Sequence, residues 1–511
     1  MKIHKFPLQA AILGTIVSLS ATLALAADEA SDLELYMDTQ TKQIFAEPGP
    51  NRVRMGTFRP VDAQPATVTA ALPQQALPQQ TQVPVVNLAD MARRLDANEQ
   101  EIEQIRSQNA APRPASWTDT LRIRGYLQTR YTSMIGGDKD INLWSDRSVG
   151  NAQSLGNADK NFLIRRARLV FSGDAGEHLS FYVQPDLASS VGGSGNVAQI
   201  RDAYGDIYFN ASREHRFRIG QSKVPFGFEN LQSSSNRLAP DRNDALNSGV
   251  RDERDLGAFY YYTPELVQSR FSEIGRLGLK HTGNYGMFGL GVYNGQGANR
   301  GDRNNNLHTV ARLTYPWQFA NGQFFEASVQ GYTGKYVPST GNFRGLGDTA
   351  KIISGSAQNV NLIPERYQNG YNDDRIAISA IWYPQPFGLQ AEWNWGNTPK
   401  LNLETDTIEQ GTLDGGYVQA MYMFKNDLGT FIPFLKWQYF DGANKGETNA
   451  PANKVNDVEL GIEWQVAREL EISAEYHMMK RNNLVLGNRP GRIDYERFDS
   501  DALRIQLQYN Y

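Results

Sequence analysis

The sequence predicts an all-β protein: a sixteen-stranded antiparallel transmembrane β-barrel preceded by a short periplasmic coiled-coil helix. Three observations predict this class. The mean hydropathy of −0.52 argues against a helical membrane protein, apolar and polar residues alternate from residue 121 to the end, and short turns alternate with long polar loops. Alternation over segments of about ten residues, repeated along the chain, is typical of a barrel that crosses a membrane with strands.

Composition excludes several functional classes before any motif is considered. The 511 residues include 51 Lys and Arg against 55 Asp and Glu, and this net charge of −4 argues against a nucleic-acid partner. Cysteine is absent and the six histidines are scattered without paired spacing. We therefore expect no disulfide framework, no metal site and no cofactor.

Residues 1–26 have the pattern of a secretory signal peptide. Two lysines precede an uncharged, mostly apolar stretch over residues 7–26, which ends in Ala-Leu-Ala. This order predicts cleavage after Ala26. A retained transmembrane helix is the alternative, but Asp28 and Glu29 follow without a basic stop signal. Export combined with strand-type crossing predicts the outer membrane of a Gram-negative bacterium, with the N-terminal segment in the periplasm.

The region before the barrel changes composition along its length. Residues 27–60 are a small N-terminal periplasmic segment with a hairpin-like pattern, and the Pro- and Gln-rich residues 61–86 are typical of an extended linker. Residues 87–108 have apolar residues at spacings of three and four, which predicts a helix. A second linker, residues 109–117, leads to the predicted barrel, residues 118–511.

The predicted helix over 87–108 has a heptad seam. The seam residues are Leu88, Met91, Leu95, Asn98, Ile102 and Ile105. One polar residue in such a seam fixes register and oligomeric state, so we interpret the helix as a short coiled coil with Asn98 in its core. An amphipathic helix that packs on its own domain is the alternative.

The predicted strands are joined by tight turns on one side of the barrel. In the last strand, alternate residues from Leu503 to Tyr511 are apolar or aromatic. We expect short turns at residues 174–178, 283–284, 320–322, 426–429 and 467–469. The count is sixteen or seventeen strands, depending on whether residues 255–263 are barrel wall or loop. Closed single-chain bacterial barrels have an even number, so we expect sixteen.

A soluble β-sandwich is the competing architecture, because its strands also alternate. Aromatic residues near the ends of the predicted strands favour the membrane barrel, since they form interfacial girdles there. Examples are Tyr315, Trp317, Trp393, Trp395, Trp437, Tyr439, Tyr509 and Tyr511.

The residues that alternate with the apolar ones are expected to face the lumen. Sixteen strands enclose an aqueous channel. The candidate pore-lining basic residues are Arg122, Arg124, Arg166, Arg168, Arg216 and Arg218, with Lys223 and Arg254 beside an inward loop. The candidate opposite acidic wall is formed by Glu459, Glu463, Glu471 and Glu475. Walls of arginine and lysine favour anions, although for each arginine alone an ion-paired structural role is the alternative.

The loop over residues 224–254 begins in the segment 220–229, which contains one proline and two glycines and suits a sharp turn. We interpret it as a loop that folds inward and narrows the pore. Lys223 and either Arg251 or Arg254 would then lie near the narrowest point. An ordinary extracellular loop is the alternative.

Four segments carry a resemblance to a known family. They are residues 162–171 (FLIRRARLVF), 219–229 (IGQSKVPFGFE), 254–257 (RDLG) and 292–295 (VYNG). In this order they resemble the phosphate-selective porin O/P family, and the resemblance covers residues 120–511. It implies a trimeric, sixteen-stranded outer-membrane porin with an inward third loop and basic residues along the channel. The aromatic terminus Tyr511 resembles the assembly signal of such barrels, whereas the glutamates of the second half depart from a lysine-rich phosphate channel.

These observations predict a passive diffusion channel for small hydrophilic solutes with a modest preference for anions such as phosphate. A non-selective or sugar-preferring porin is the alternative. An outer-membrane hydrolase, and an adhesin or wall anchor that uses the periplasmic helix, are further alternatives. His281, His308 and His477 have no Gly-x-Ser-x-Gly elbow near them, so we expect no enzyme and assign no catalytic residue. The expected partners are outer-membrane lipid, the other subunits of a homotrimer, and small anionic or polar solutes.

Overall fold

The computed structural model consists mainly of β-strands. The segments predicted as signal peptide (1–26), first linker (61–86) and coiled-coil helix (87–108) lie outside the described residues, as does the predicted second linker except Trp117. Among the described residues, no helix is long and apolar enough to cross a membrane. The structure describes residues 33–38, 44–45, 52–58, 117–139, 141, 143–146, 149, 160–188, 198–341, 362–486 and 493–511.

The described elements are numbered along the chain. The strands are β1 (Leu33–Asp38), β2 (Ile44–Phe45), β3 (Arg52–Phe58), β4 (Arg122–Gly137), β5 (Lys160–Asp174), β6 (Leu179–Asp186), β7 (Gln199–Tyr208), β8 (His215–Lys223), β9 (Arg254–Tyr262), β10 (Phe288–Tyr293), β11 (His308–Gln318), β12 (Phe324–Thr333), β13 (Lys335–Tyr336), β14 (Tyr371–Asn372), β15 (Arg375–Trp382), β16 (Phe387–Asn402), β17 (Thr407–Tyr422), β18 (Phe424–Asn426), β19 (Gly429–Ala443), β20 (Ala452–Ala467), β21 (Leu470–Leu486) and β22 (Ile493–Asn510). The α-helices are α1 (Phe228–Leu231), α2 (Asp244–Asn247) and α3 (Glu265–Arg276), and 3-10 turns cover Trp117–Thr120, Arg251–Glu253 and Glu365–Tyr367.

Apart from β13 and β14, which pair with each other, the strands from β4 onward close into a single antiparallel barrel. Its order follows the chain from β4 to β12, continues with β15, β16, β17 and β19 to β22, and returns to β4. The short strand β18 follows β17 in the chain, and both pair with β19. Strands β17 and β18 are therefore parts of one wall strand. The barrel therefore has sixteen strands, which confirms the predicted fold. β9 pairs with both β8 and β10, so residues 255–262 are barrel wall.

Alternation of side chains explains why these segments form wall strands. In β15, Ile376 and Ile378 are 49% and 51% exposed, whereas Ala377 and Ser379, which alternate with them, are buried. Successive side chains of a strand point to opposite faces, so the apolar set faces outward and the polar set faces the interior. In an outer membrane the exposed isoleucines contact lipid, as barrels of this type require.

The ring closes between the first and last barrel strands. β22 pairs with β4 from Asn510 opposite Tyr126 to Ser500 opposite Gly137. The backbones of Tyr511 and Gly125 exchange two hydrogen bonds, at 2.7 and 3.0 Å. A Cβ at Gly125 would lie 2.8 Å from the Tyr511 ring, so glycine permits the terminal aromatic residue to pack against β4. The C-terminal strand therefore closes the ring against the first barrel strand.

Replacing Tyr511 by aspartate is expected to impair barrel assembly. The substitution removes an outward ring that packs on Gly125 and Tyr509, and it puts a charge at the lipid-facing edge of the closing strand. The measurement is the fraction of heat-modifiable barrel in outer-membrane extracts. Tyr511→Phe is the matched control and should assemble normally, and an equal barrel fraction for both variants would contradict this role.

One predicted turn is wrong. We expected a short turn at residues 283–284, but β9 and β10 are joined by residues 263–287, which include the helix α3. The helix is amphipathic, and its residues Val267, Phe271 and Ile274 are buried. The expected turn therefore missed a long connection that carries a helix.

The N-terminal unit contains a separate small sheet. In it β1 pairs antiparallel with both β2 and β3, in the order β2-β1-β3. The β1–β2 pairing joins Tyr36 to Phe45 and Met37 to Ile44. These two strands correspond to the hairpin-like pattern of residues 27–60.

Candidate pore and its inward loop

The connection between β8 and β9, residues 224–253, lies inside the barrel. Nearly all its residues up to Val250 are buried. Five of its apolar side chains join a core cluster with residues on the inner face of the wall. The loop members are Val224, Phe226, Ala245, Leu246 and Val250, and the wall members include Phe259, Tyr261, Tyr293, Val310 and Tyr332. We call this connection the inward loop.

Polar wall residues hold the backbone of the inward loop. The carboxylate of Glu392 accepts hydrogen bonds from the backbone N–H groups of Phe228 and Glu229. On a neighbouring strand, Arg375 donates to the carbonyl of Ala245 and to the hydroxyl of Ser248, both at 2.9 Å. Buried backbone N–H and C=O groups need hydrogen-bond partners. The wall side chains provide these partners for the short helices that the loop carries into the lumen.

Asp241 of the inward loop is the centre of an arginine cluster. Its carboxylate lies 2.7 Å from Arg130 on β4 and 2.5 Å from Arg504 on β22. Arg165 and Arg166 of β5 approach it at 3.2 and 3.9 Å. Burial opposes ionisation, but these arginines hold the pKa of Asp241 well below its usual range. The loop is therefore tied to the strands that close the barrel.

Four of the eight basic residues predicted to line the pore face a carboxylate on another strand. These pairs are Arg168 with Asp186 at 2.7 Å, Arg218 with Asp206 at 2.7 Å, Arg216 with Asp206 at 3.8 Å, and Arg254 with Asp202 at 2.9 Å. Carboxylates on β6 and β7 thus compensate much of the predicted basic strip.

The remaining predicted cations differ in their surroundings. Lys223 is buried and donates to the carbonyls of Leu231 and Gln232 in the inward loop, at 2.8 and 2.6 Å. Arg122 and Arg124 are exposed at the turn end of β4. Arg166 donates a hydrogen bond to Gln128 at 2.9 Å. Its distance to the carboxylate of Asp241, 3.9 Å, is longer than that of the other three arginines around Asp241.

Sequence reasoning missed Arg237, a buried residue of the inward loop. Its Nη2 donates to the carbonyl of Pro240 at 3.4 Å. Within the described part of the chain, its Nε and Nη1 have no hydrogen-bond partner. Burial lowers the pKa of Arg237, while Glu229, Asp241 and Glu253 oppose that shift, and arginine stays charged at neutral pH. Because strand alternation says nothing about a loop, no sequence pattern pointed to this residue.

The predicted acidic wall is also compensated. Glu459 lies 3.8 Å from Lys436, and Glu475 contacts Arg504. Glu463 lies 2.5 Å from Lys280 of the β9–β10 connection. Glu471 accepts a hydrogen bond from Asn510 at 3.0 Å. No group of three or more acidic or histidine side chains in the described ranges is arranged to hold a metal ion.

Comparison with solved structures finds outer-membrane channels. The DcaP channel of Acinetobacter baumannii aligns with a TM-score of 0.45 and 16% identity, over 76% of this chain and 97% of that one. OmpF of Salmonella typhi, in complex with daunomycin, aligns at 0.43 and 13%, over 76% and 97%. An anion-selective porin from Comamonas acidovorans aligns at 0.41 and 12%, over 77% and 99%. No curated protein matches the chain.

A family model covers most of the barrel. The model for the phosphate-selective porin O and P family matches residues 139–511, which is well over half of the chain. The match begins within the β4–β5 loop and runs to the terminal tyrosine, so it includes the inward loop and the closing strand. The family and the closed barrel indicate a channel rather than an enzyme. This chain therefore belongs to the phosphate-selective porin O and P family and is an outer-membrane porin.

Proposed function

We propose that this porin lets small hydrophilic solutes diffuse passively and has a modest preference for anions such as phosphate. The observation that carries the proposal is that two interior guanidinium groups, those of Arg166 and Arg237, lack a close carboxylate partner among the described residues. Both side chains are buried, so we expect them to act through their charge: an arginine that no close carboxylate compensates adds positive potential to the open path.

The inward loop contacts the acidic wall as well as the arginines around Asp241. Lys436 of β19 joins Glu229 of the loop, at 2.9 Å, to Glu459 of the acidic wall, at 3.8 Å. Loop residues thus contact the wall that would otherwise attract cations. Arg122, Arg124, Arg166, Arg168, Arg216 and Arg218, together with Lys223 and Arg254, would then contribute positive potential to the open path, although carboxylates reduce the contribution of the paired ones.

Ion selectivity of the wild-type porin tests this proposal directly. In a planar bilayer with a KCl gradient, the reversal potential should indicate a modest anion preference. That preference should weaken as the salt concentration rises, because the Debye length falls from about 10 Å at 0.1 M to about 3 Å at 1 M. Liposome swelling with neutral sugars and with anions of similar size checks the alternative of a sugar-preferring porin. A cation-selective pore at low salt would contradict the proposal.

We further propose a homotrimer whose contact face includes β5 and β7. Ala203 and Gly205 share the outward face of β7 with Ile207, and Ala167 lies on β5. Small residues let neighbouring backbones approach closely within a membrane. Large aromatic residues cover other strands and are suited to lipid. They include Trp317, Phe325, Trp382, Phe424 and Trp464.

The N-terminal region is proposed to be periplasmic. After removal of residues 1–26, residues 27–60 would form a small segment, followed by the linker 61–86, the coiled coil 87–108 and the linker 109–117. The heptad seam around Asn98 supports this assignment, because a coiled coil on a trimer axis would assist assembly of the barrel, residues 118–511.

A further inference from the structure

The β9–β10 connection, residues 263–287, enters the barrel from the side of the short turns. Near β8, the carbonyl of Asn284 accepts a hydrogen bond from Arg216 at 2.7 Å. A few residues earlier, the Nζ of Lys280 lies 2.5 Å from Glu463 on β20. Because β8 and β20 are almost opposite each other in the barrel order, this connection crosses the lumen.

The crossing segment is held from both sides. Ile274 and Leu279 pack in a buried cluster with Phe228 of the inward loop and with Phe324 and Tyr383 near the turn ends of wall strands. From the inward loop, Gln232 donates to the carbonyl of Lys280 at 2.8 Å and Asn236 to that of His281 at 2.7 Å. The segment that carries Lys280 therefore has a defined position.

Among the described residues, no basic side chain is a direct strand partner of Glu463 or Glu471. The strand neighbours of Glu463 are Ile432 and Ser473, and those of Glu471 are Gln465 and Gln508. The two other glutamates of the acidic wall contact basic residues of adjacent strands, Lys436 and Arg504. Of these four glutamates, Glu463 and Glu471 are the ones that, within the described part of the chain, depend on a residue carried across the lumen.

Lys280 is suited to compensate both glutamates. Its side chain is 4% exposed and that of Glu463 is 1% exposed, so bulk water screens their interaction little. Burial disfavours the charged lysine, but Glu463 and Glu471 raise the pKa of Lys280 above its ordinary value. The lysine is therefore charged at neutral pH.

We propose that Lys280 is a selectivity-determining residue of the periplasmic half of the pore. By neutralising Glu463 and screening Glu471, it removes a cation-attracting site that the wall would otherwise present to solutes near the periplasmic exit. This inference rests on the porin function and not on the proposed anion preference. It assigns a role in permeation to the β9–β10 connection, which crosses the lumen but is not part of the barrel wall.

The experiment compares full-length wild type with Lys280→Met, Lys280→Arg and the double variant Lys280→Met/Glu463→Gln in planar bilayers. We expect Lys280→Met to lower the anion-to-cation permeability ratio about threefold or more in low-salt KCl, since a unit charge a few ångströms from an ion is removed. Lys280→Arg should keep the wild-type ratio. The double variant should recover much of the loss, because one uncovered carboxylate becomes neutral.

Arg276→Met is the matched control. Arg276 belongs to the same connection and pairs with Glu273, but its side chain is 70% exposed on the surface of α3. It should leave the permeability ratio close to that of wild type. Equal ratios for Lys280→Met and Arg276→Met would overturn the proposal, and so would the absence of recovery in the double variant.

A second variant keeps the proposal testable if Lys280→Met does not assemble. Glu463→Gln retains the lysine and removes its partner, so the permeability ratio should move toward anions. An unchanged ratio, or a shift toward cations, would overturn the role of Lys280. A wild-type pore that prefers cations would contradict the proposed anion preference, but the difference between Lys280→Met and wild type would still decide this inference.

Discussion

Replacing Asp241 by alanine is expected to loosen the inward loop and to produce a less stable, more open pore. The carboxylate lies within 2.7 Å of Arg130 and Arg504, which belong to the two strands that close the barrel. Removing one partner of a buried ion pair typically costs about 3–5 kcal/mol, because the remaining charge is left buried. In the variant, Arg130 would still form its ion pair with Asp146, and Arg504 its ion pair with Glu475. We therefore expect a loss of stability at the lower end of this range.

The change also alters the charge that solutes meet. Arg165 and Arg166 have no other carboxylate partner among the described residues, so their guanidinium groups would become available to anions. We expect a larger single-channel conductance and a reversal potential that moves toward anions. Conductance and the denaturant concentration at half-unfolding measure the two effects.

Asp441→Ala is the control for Asp241→Ala. Asp441 forms a 3.1 Å pair with Lys454, but both side chains are more than a third exposed. Such surface pairs are worth about 0–1 kcal/mol, so stability and conductance should change little. If Asp241→Ala behaved like this control, the carboxylate would not be what holds the loop.

The same geometry predicts how the loop responds to pH. The pKa of Asp241 lies well below its usual range despite burial, because Arg130, Arg165 and Arg504 favour the carboxylate. A depressed pKa in the folded protein stabilises it above the unfolded-state pKa of about 3.9, and this stability is lost only as the pH falls through the lower folded value. Asp241 should therefore hold the loop throughout the neutral range.

The barrel wall was predictable because lipid enforces a simple rule on every strand. Outward residues such as Ile376 and Ile378 must be apolar, and their neighbours in sequence face the interior, so the period of two is visible without a structure. The closing strand was predictable for the same reason. Tyr509 and Tyr511 lie on its outward face and are about half exposed.

The interior was less predictable because its contacts join distant parts of the chain. The pairing of Arg168 with Asp186 depends on the register between β5 and β6, which alternation alone does not specify. Lys280 lies far from Glu463 in sequence, and the short turn expected at residues 283–284 gave no sign of a connection that crosses the lumen. Arg237 belongs to a loop without a period. The residues of the wall could therefore be listed from sequence, but their partners could not.

The second large effect is expected from the cations that have no close carboxylate. Replacing both Arg166 and Arg237 by alanine should lower the anion-to-cation permeability ratio about fivefold or more at low salt. This magnitude follows because one unit charge at about 4 Å is worth about 1 kcal/mol even in bulk water. Reversal potentials in a KCl gradient measure the ratio, and each single variant should show part of the shift.

The paired arginine Arg168 provides an informative comparison. Arg168→Ala also removes one positive charge, but it leaves Asp186 without its partner in the interior. We expect a shift toward cations together with a loss of stability, whereas Arg237→Ala should shift selectivity with little loss, because few contacts are broken. Comparing the two variants therefore separates the electrostatic role from the structural one.

Arg303→Ala is the control for charge outside the lumen. Arg303 is exposed in the β10–β11 loop, where it donates to Ser339 at 3.1 Å. Salt screens such a charge, so the permeability ratio should stay near the wild-type value. If the Arg166 and Arg237 variants also kept the wild-type ratio, these arginines would be structural, and the anion preference would have to arise elsewhere. If their effect instead disappeared as salt rose from 0.1 M to 1 M, the two guanidinium groups would be acting through space on ions in the open path, as a selectivity element must.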